Sequence, residues 1–381
     1  MKNYDVIIIG AGAAGLMAGT QLVRRKKSVL IVDMGDAPAR KVAISGGGKC
    51  NFTNTSADFS HYFGKNPRFV MSALTQWGAH DTLHWAKSHN IAAYEKEPGR
   101  YFCKNGAGDI VAALLQDIGN TQIKYNTDVT SIEKSDDVFI IHTGRGEFFA
   151  KSVIVATGGL SYPHLGVSNV GHKIAKHFGH KIEPIRPALC AIKTKRFSAE
   201  LAGISLDAEI TIGKNKISDD LLFTHFGIGG PAVYRSTLFG TQNMIVNLVP
   251  NVDIFEFLKS AKQTGGKKTA ANTLAEIIPI KLARFVCDDA RHIADVRDIE
   301  LKQIADNINH IEITDATAVG LTSAEVTAGG VATDKISSKT MESGLCTGLY
   351  FAGEVMDITG DLGGYNIQWA FSSGFVAGSN A

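Results

Sequence analysis

Val6-Ile7-Ile8-Ile9-Gly10-Ala11-Gly12-Ala13-Ala14-Gly15 decides the fold of this chain. Four consecutive β-branched residues read as a short strand buried on both faces, and the stretch from Ala13 to about Arg25 reads as a helix. Between them stands Gly-x-Gly-x-x-Gly, in which each glycine has a separate task. Gly10 makes the tight turn, Gly12 lets backbone approach a pyrophosphate, and Gly15 lets helix and strand pack closely. The helix start then offers N–H groups and the positive end of its dipole to the anion. A second buried strand, Val29–Val32, closes on Asp33, whose carboxylate can accept both hydroxyls of a ribose. The same charge repels a 2′-phosphate, which disfavours NADP and leaves NAD or FAD.

Two later junctions decide for FAD, because an isoalloxazine reaches well past the first βαβ unit and needs contacts far along the chain. One is Ala156-Thr157-Gly158-Gly159 after the apolar stretch Ser152–Ala156. The other is Leu349-Tyr350-Phe351-Ala352-Gly353-Glu354, again a strand signal ending in glycine and an acid. Together the three motifs resemble glutathione-reductase-type flavoproteins. The expected fold is therefore α/β: a Rossmann-like FAD-binding domain from residues 1–189 and 321–381, interrupted by an inserted β-containing and helical domain over 190–320. The first domain should also carry a meander of Asp128–Ile132, Val138–His142 and Glu147–Phe149, and a helix at Gly171–Phe178. The insertion alternates around Ala208–Ile212 and Met244–Val249, then reads as helical from Ile254 to about Asp306. It is expected to act as a cap over the flavin.

Composition bounds the rest. In 381 residues the chain has 44% hydrophobic and 20% charged residues, the mix of a folded globular protein. A net charge of +2 does not suggest a concentrated basic face, so the expected partner is a small molecule and not nucleic acid. The apolar start lacks a basic leader, and no other run approaches the ~18 apolar residues of a membrane span. With cysteines suited to a reducing compartment, this reads as a soluble, cytoplasmic protein; nothing sets its oligomeric state. Cys50, Cys103, Cys190, Cys287 and Cys346 show neither Cys-x-x-Cys nor zinc spacing. The absence of a close pair in sequence argues against a disulfide reductase, and Cys50 reads as a small packing residue. His172, His177 and His180 lack a carboxylate partner at facial-triad spacing and read as surface histidines, so no metal is expected.

The segment Lys41-Val42-Ala43-Ile44-Ser45-Gly46-Gly47-Gly48-Lys49-Cys50-Asn51-Phe52-Thr53-Asn54 is more specific. It is similar to the ISGGGRCNxTN signature of the YhiN/BaiN-like flavoproteins, the aminoacetone-oxidase-like FAD-binding family. Leu222–Gly227 with Gly230-Pro231, and Gly353–Asp357 with Gly363–Asn366, resemble the same family, and the likeness runs the length of the chain. It implies FAD contacts at Gly10, Gly12, Ala13, Ala14, Gly15, Asp33, Lys41, Ser45, Gly46, Gly47, Val129, Ala156, Thr157, Gly158, Gly353, Glu354, Gly364, Tyr365, Asn366 and Ile367. Physically, Ser45–Gly47 can bring backbone N–H groups to the cofactor, while Asn51 and Thr53 offer neutral hydrogen bonds. Gly363–Asn366 leads into a helix with Ile367, Ala370, Phe371 and Phe375 on one face. Its dipole would stabilise an anionic reduced ring by ~0.3–2 kcal/mol. The chain departs from the family at Lys49 (usually Arg), Cys103 (usually Pro), the loop Val167–Gly171, and Gly229 (in place of Ser). The last three bear on the substrate, not on FAD.

The resemblance implies an FAD-dependent oxidoreductase moving hydride between an organic substrate and flavin N5, either amine oxidase-like or an NAD(P)H-fed reductase of a C=C bond. There is no second Gly-x-Gly-x-x-Gly, so a nicotinamide would either act as a transient reductant without its own domain or not be used. The contrasting class is a non-catalytic flavin-binding or RNA-associated protein. His225 has two readings, a general acid or base over the flavin or a structural residue of a Thr-His-Phe turn. Arg100 could hold an anionic substrate or form a surface ion pair. Tyr162, Tyr365 and Trp369 either line the pocket or pack.

Overall fold

The computed structural model describes residues 3–265, 267–287 and 290–381. They form two compact units: residues 1–187 with 321–381, and residues 188–320.

In the first unit, the strand Asn3–Ile9 lies between two parallel neighbours. Val6 to Ile9 pair with Val29 to Val32 on one side and with Ser152 to Val155 on the other. Helices cover sheets of this kind on both faces, which is why the strand is a continuous apolar run and not an alternating one. The sheet order is Gln122–Lys124, Val29–Val32, Asn3–Ile9, Gly146–Val155, Val138–Thr143 and Val129–Ser135, with Leu349–Phe351 also beside Gly146–Val155. That long strand corrects the sequence reading, which had split it into Glu147–Phe149 and Ser152–Ala156. Its first half pairs antiparallel with Phe139–Thr143, and its second half pairs parallel with Leu349–Phe351. The polar break at Lys151-Ser152 marks where the partner strand changes and not where the strand ends.

The two ends of the chain are locked together by their helices. Ala13–Arg24 packs on the C-terminal helix Tyr365–Asn380. A Cβ on Gly374 would sit 2.3 Å from the Ala14 carbonyl oxygen, and one on Gly378 would sit 2.2 Å from that of Ala18. Two glycines four apart thus meet two alanines four apart, and the backbones touch. Of the apolar face read from the sequence, Phe371 is fully buried. Ile367, Ala370 and Phe375 are only half-buried, whereas Gln368, Ser372, Ser373 and Gly374 are buried. The polar members of that face are satisfied internally. Thr53 Oγ1 donates to Gln368 Oε1 (2.5 Å), Gln368 Nε2 donates to Ser372 Oγ (2.9 Å), and Ser372 Oγ donates to the Trp77 carbonyl (2.6 Å).

A small antiparallel sheet of Asn51–Asn54, Arg100–Cys103 and Ala93–Glu97 carries the glycine-rich signature at its edge. The second unit is an antiparallel sheet ordered Ile311–Ile313, Met244–Asn247, Ser205–Ile212, Asn215–Thr224, Gly227–Gly229, Ile192–Lys193 and Thr317–Ala318. Pro231–Ser236, Ile254–Gln263, Ala270–Leu274, Ile280–Val286 and Asp298–Asn309 supply its helices, and Ile210, Leu221, Val246, Leu258, Leu282 and Leu301 are among its core residues. No helix among the described residues is long and apolar enough to cross a membrane.

Candidate flavin site

The first turn combines two closed glycines with one open one. Gly10 has φ +107°, and a Cβ there would lie 2.3 Å from the Ala156 carbonyl oxygen. A Cβ on Gly15 would lie 1.9 Å from the Gly10 carbonyl oxygen, while one on Gly12 would meet nothing within 4 Å. The backbone is thus compressed on the protein side and clear where an anion would approach. Gly12 precedes Ala13–Arg24 and has no side chain to cap it, which suits a helix start reserved for a ligand.

Asp33 is held more tightly than its place in sequence implied. Its Oδ2 accepts from the Ala11 N–H (2.6 Å) and its Oδ1 from the Gly35 N–H (2.7 Å), with Arg40 Nη2 at 3.5 Å. The carboxylate therefore pins the glycine turn to the end of the second strand. Backbone from the meander comes to the same place, since the Thr127 N–H donates to the Asp33 carbonyl at 2.9 Å. Val129, two residues on, is buried.

A second cluster joins residues from four distant segments. Lys41 Nζ lies 2.9 and 3.0 Å from the Glu354 carboxylate oxygens and donates to Ser161 Oγ at 2.6 Å. Glu354 Oε1 also accepts from the Thr327 N–H at 2.8 Å. Thr327 Oγ1 in turn accepts from the N–H groups of Leu160 (2.7 Å) and Ser161 (3.0 Å). Ser161 and Thr327 escaped the sequence reading because a single hydroxyl has no local pattern. Beside them Thr157 Oγ1 is buried without a hydrogen-bond partner, and Gly158, at φ +73°, faces open space. A buried hydroxyl beside a clear glycine fits a polar group arriving from outside the protein.

In the signature, Gly46, Gly47 and Gly48 have φ values of +56°, +64° and +81°, a run that side chains rarely adopt. Cβ atoms on Gly47 and Gly48 would meet nothing within 4 Å, so this backbone too lies open. Ser45 Oγ donates to the Val42 carbonyl (2.7 Å). Asn51, Thr53 and Asn366 instead turn their side chains into the protein. Asn51 donates to the Tyr101 carbonyl (3.1 Å) and accepts from the Gly364 N–H (3.2 Å). Asn366 is bonded to the Gly360 N–H (2.8 Å) and carbonyl (2.9 Å). Thr53 is committed to Gln368. These residues fix the start of the C-terminal helix, where a Cβ on Gly364 would come 2.5 Å from the Thr53 carbonyl oxygen. Tyr365 receives the Tyr62 hydroxyl at its carbonyl (3.1 Å) and stacks on His61, while Ile367 is half-buried. Gly353 donates its N–H to Ser373 Oγ at 2.9 Å, and the buried Trp369 indole donates to the Gly353 carbonyl at 3.3 Å. Trp369 therefore packs beneath the third junction. Arg100 pairs with Glu97.

Other sequence expectations are revised. His172 and His180 are buried, not superficial; burial lowers both pKa values, and His180 Nε2 is bonded to Ser343 Oγ (2.7 Å). Cys50 is wholly buried, as a packing residue would be, and its N–H donates to the Ser45 carbonyl at 2.9 Å. His225 sits with Phe226 at the exposed tip of a two-residue hairpin in the second unit, where Thr224 pairs with Gly227.

The residues present fit FAD: an open glycine turn at a helix start, an acid closing the second strand, a clear glycine-rich signature and an orphaned buried hydroxyl. Comparison with known proteins agrees. The chain is 40% identical to a ribosomal RNA dihydrouridine synthase of Haemophilus influenzae, covering 99% of this chain and 98% of that protein. It is 36% identical to a protein of the same name from Escherichia coli, covering 99% and 97%. Identity is 28% to a 3-dehydro-bile acid delta(4,6)-reductase of Clostridium scindens, covering 98% of each. Among solved structures, the Sdh1 complex of Mycobacterium smegmatis in its apo form shares the fold, with a TM-score of 0.51 and 14% identity over 99% of this chain and 67% of that one. The two full-length relatives named for ribosomal RNA overturn the exclusion of nucleic acid drawn from net charge. A whole-chain balance near zero says nothing about a local surface, and a single base can be recognised by stacking and shape with few phosphate contacts. Residues 4–380 match the family described as HI0933-like protein Rossmann domain, and the chain belongs to that family of FAD-dependent oxidoreductases.

Proposed function

We propose that this protein is an FAD-dependent reductase that saturates the C5–C6 double bond of a uridine in ribosomal RNA. The observation that carries the reading is 40% identity, over 99% of this chain, to a ribosomal RNA dihydrouridine synthase. The bile-acid relative is also named a reductase. Both names favour the C=C reductase branch over the amine oxidase branch.

The balanced reaction takes uridine, NADH or NADPH and a proton to dihydrouridine and the oxidised nicotinamide. When bound, FAD supplies the hydride chemistry. The chain's own task is to hold, orient and protonate. Gly10–Gly15 and Asp33 would fix the adenosine and pyrophosphate end. The open backbone of Gly47, Gly48 and Gly158, with Thr157, would take up the rest of the cofactor. The Lys41–Glu354 pair sets the spacing between the signature and the third junction. A proton must also reach the pyrimidine carbon that does not receive hydride. His225, exposed on its hairpin, is the proposed donor, a role worth typically 10²–10⁴-fold in rate. The target uridine has to leave its stack first, at a cost of a few kcal/mol.

The test is direct. Ribosomal RNA from a strain lacking the gene is digested to nucleosides, and dihydrouridine is measured by mass. Its loss on deletion, and its return when purified protein, FAD and NADPH are supplied to the deletion-strain RNA, is the expected result. Unchanged dihydrouridine would sink the RNA reading. His225→Asn should keep the bound-flavin spectrum and slow only the step in which substrate reoxidises the reduced flavin. An unaltered rate removes His225 from the mechanism.

A further inference from the structure

The small sheet that carries the glycine-rich signature ends on an edge strand, Ala93–Glu97, whose five residues are all exposed. Tyr94 stands directly opposite Phe102, and their rings stack with centroids 5.8 Å apart and planes 27° from parallel. Lys96 Nζ lies 5.9 Å from the centroid of the Phe102 ring. The ladder runs on past the strands, since the Lys104 N–H donates to the Ala92 carbonyl at 2.7 Å. Alternation therefore puts Lys104 on the same face as Phe102. Lys49 reaches the same place, its Nζ donating to the Lys104 carbonyl at 3.0 Å. All three lysines are exposed, and none has a carboxylate partner among the described residues. The acids of the strand are engaged: Glu95 accepts from the Gly99 N–H at 2.6 Å, and Glu97 pairs with Arg100. Charge on an edge strand discourages pairing with another sheet, which accounts for Lys96. It does not account for Tyr94, a large ring left 37% exposed at the centre of that strand.

We propose, resting on the RNA reading above, that this face is the platform on which a single-stranded stretch of the substrate RNA docks. One base stacks on Tyr94, which Phe102 braces from behind, and the neighbouring phosphates meet Lys96, Lys104 and Lys49. Every base has a π-face, so an aromatic ring among cations holds a single strand with little regard to sequence. Unpaired loops are the RNA that such a surface takes up, because their bases can be splayed out onto a ring. A chain of near-zero net charge can bind in this way, since the three lysines are gathered on one small face. The platform also adjoins the loop proposed to hold the flavin. A Cβ on Gly46 would lie 3.3 Å from Phe102 Cε1, and the backbone of Gly47 and Gly48 beyond it is open. RNA anchored on Tyr94 would thus run toward the signature, where the target uridine has to be presented.

The experiment titrates the FAD-loaded protein into a fluorescein-labelled 12-residue oligouridylate and reads anisotropy, with dihydrouridine formation on deletion-strain ribosomal RNA measured alongside. Tyr94→Ala should raise Kd roughly 5–100-fold, while Tyr94→Phe, which keeps the ring, should stay within about twofold of the parent. Lys96→Gln and Lys104→Gln should each flatten the slope of log Kd against log salt by about 0.7. All four variants should keep the parent ratio of flavin to protein and the parent melting temperature. In the reduction assay Tyr94→Ala should raise KM for RNA and leave kcat near the parent value. Unchanged oligouridylate affinity in Tyr94→Ala overturns the platform, as does an equal loss in Tyr94→Phe. If Tyr94→Ala instead splits a dimer seen by light scattering and leaves RNA affinity alone, the face belongs to a second copy of the chain and the proposal is overturned. Dihydrouridine formed by Tyr94→Ala at the parent KM overturns the platform and leaves the reductase reading standing. No dihydrouridine from the parent overturns that reading, and the platform's role in it.

Discussion

The two units of this protein hold their chains together by different means. In the flavin unit the decisive contacts are backbone against backbone. Gly10 meets Ala156, Gly15 meets Gly10, Gly364 meets Thr53, and Gly374 and Gly378 meet Ala14 and Ala18, each at a distance that leaves no room for a Cβ. The partners are often more than a hundred residues apart. The inserted unit is held by hairpins between sequence neighbours, Ser205–Ile212 on Asn215–Thr224 and Thr224 on Gly227, over a core of branched aliphatic side chains. A surface that must present backbone N–H groups to a pyrophosphate and admit a flavin cannot be padded with side chains, so close packing has to come from glycine. The insertion uses such a contact around one hairpin, where a Cβ on Gly227 would lie 2.2 Å from the Ile192 carbonyl oxygen, but its core packs by volume. The flavin unit should therefore fail by steric exclusion at single atoms, and the insertion by loss of buried area.

The sharpest break between them is Gly15→Ala. Its one added carbon would lie 1.9 Å from a carbonyl oxygen that cannot swing away. We expect a loss of about 3–5 kcal/mol of stability, at the top of what single substitutions do, and protein that purifies without yellow colour. A flavin content and melting temperature near those of the parent would show that the turn has slack. In the insertion, Leu258→Ala removes a fully buried side chain and should cost about 2–5 kcal/mol. The contrast lies in the ratio of flavin to folded protein, which should stay at the parent value. If flavin is lost in step with stability, the two units do not fail separately.

Asp33→Ala tests a place where the flavin unit depends on a side chain. It should weaken FAD binding by about 1.5–3 kcal/mol, the worth of hydrogen bonds to a charged group, read as a rise in Kd by fluorescence titration. Because the same carboxylate holds the Ala11 N–H, the loss should come with a small fall in melting temperature. Retention of FAD at the parent Kd would place the ribose elsewhere. The smallest expected effect is near the start of the central strand Asn3–Ile9. Asp5 has its pKa lowered to about 2, chiefly by the backbone N–H of Ser28 and then by Lys151. A carboxylate depressed on folding adds stability that is present above its unfolded value of ~3.9 and is lost as pH falls through about 2. The group is largely solvated, so the contribution is under about 1 kcal/mol. Asp5→Asn should lower stability by that amount near neutral pH, and the difference should shrink from pH 4 to pH 2 and vanish below it. A difference that stays at its neutral-pH size down to pH 2 would mean that packing, not charge, is responsible.

The sequence by itself determined the local grammar of the flavin unit. A β-branched run, a glycine spacing and an acid at the end of the second strand sufficed to place Asn3–Ile9, Ala13–Arg24 and Val29–Val32, because each depends on neighbours only a few residues away. It also determined the cofactor, since the three glycine junctions repeat one backbone requirement at three places. Only the tertiary structure decided the rest. It merged two strand signals into Gly146–Val155 by giving that strand different partners along its length. It turned Thr53, Asn366 and Gln368 inward to seat a helix. It enlisted Ser161 and Thr327 around Lys41 and Glu354. Pairing across a sheet and contact between distant segments are set by where the chain returns in space, and no pattern confined to a short window of residues records that.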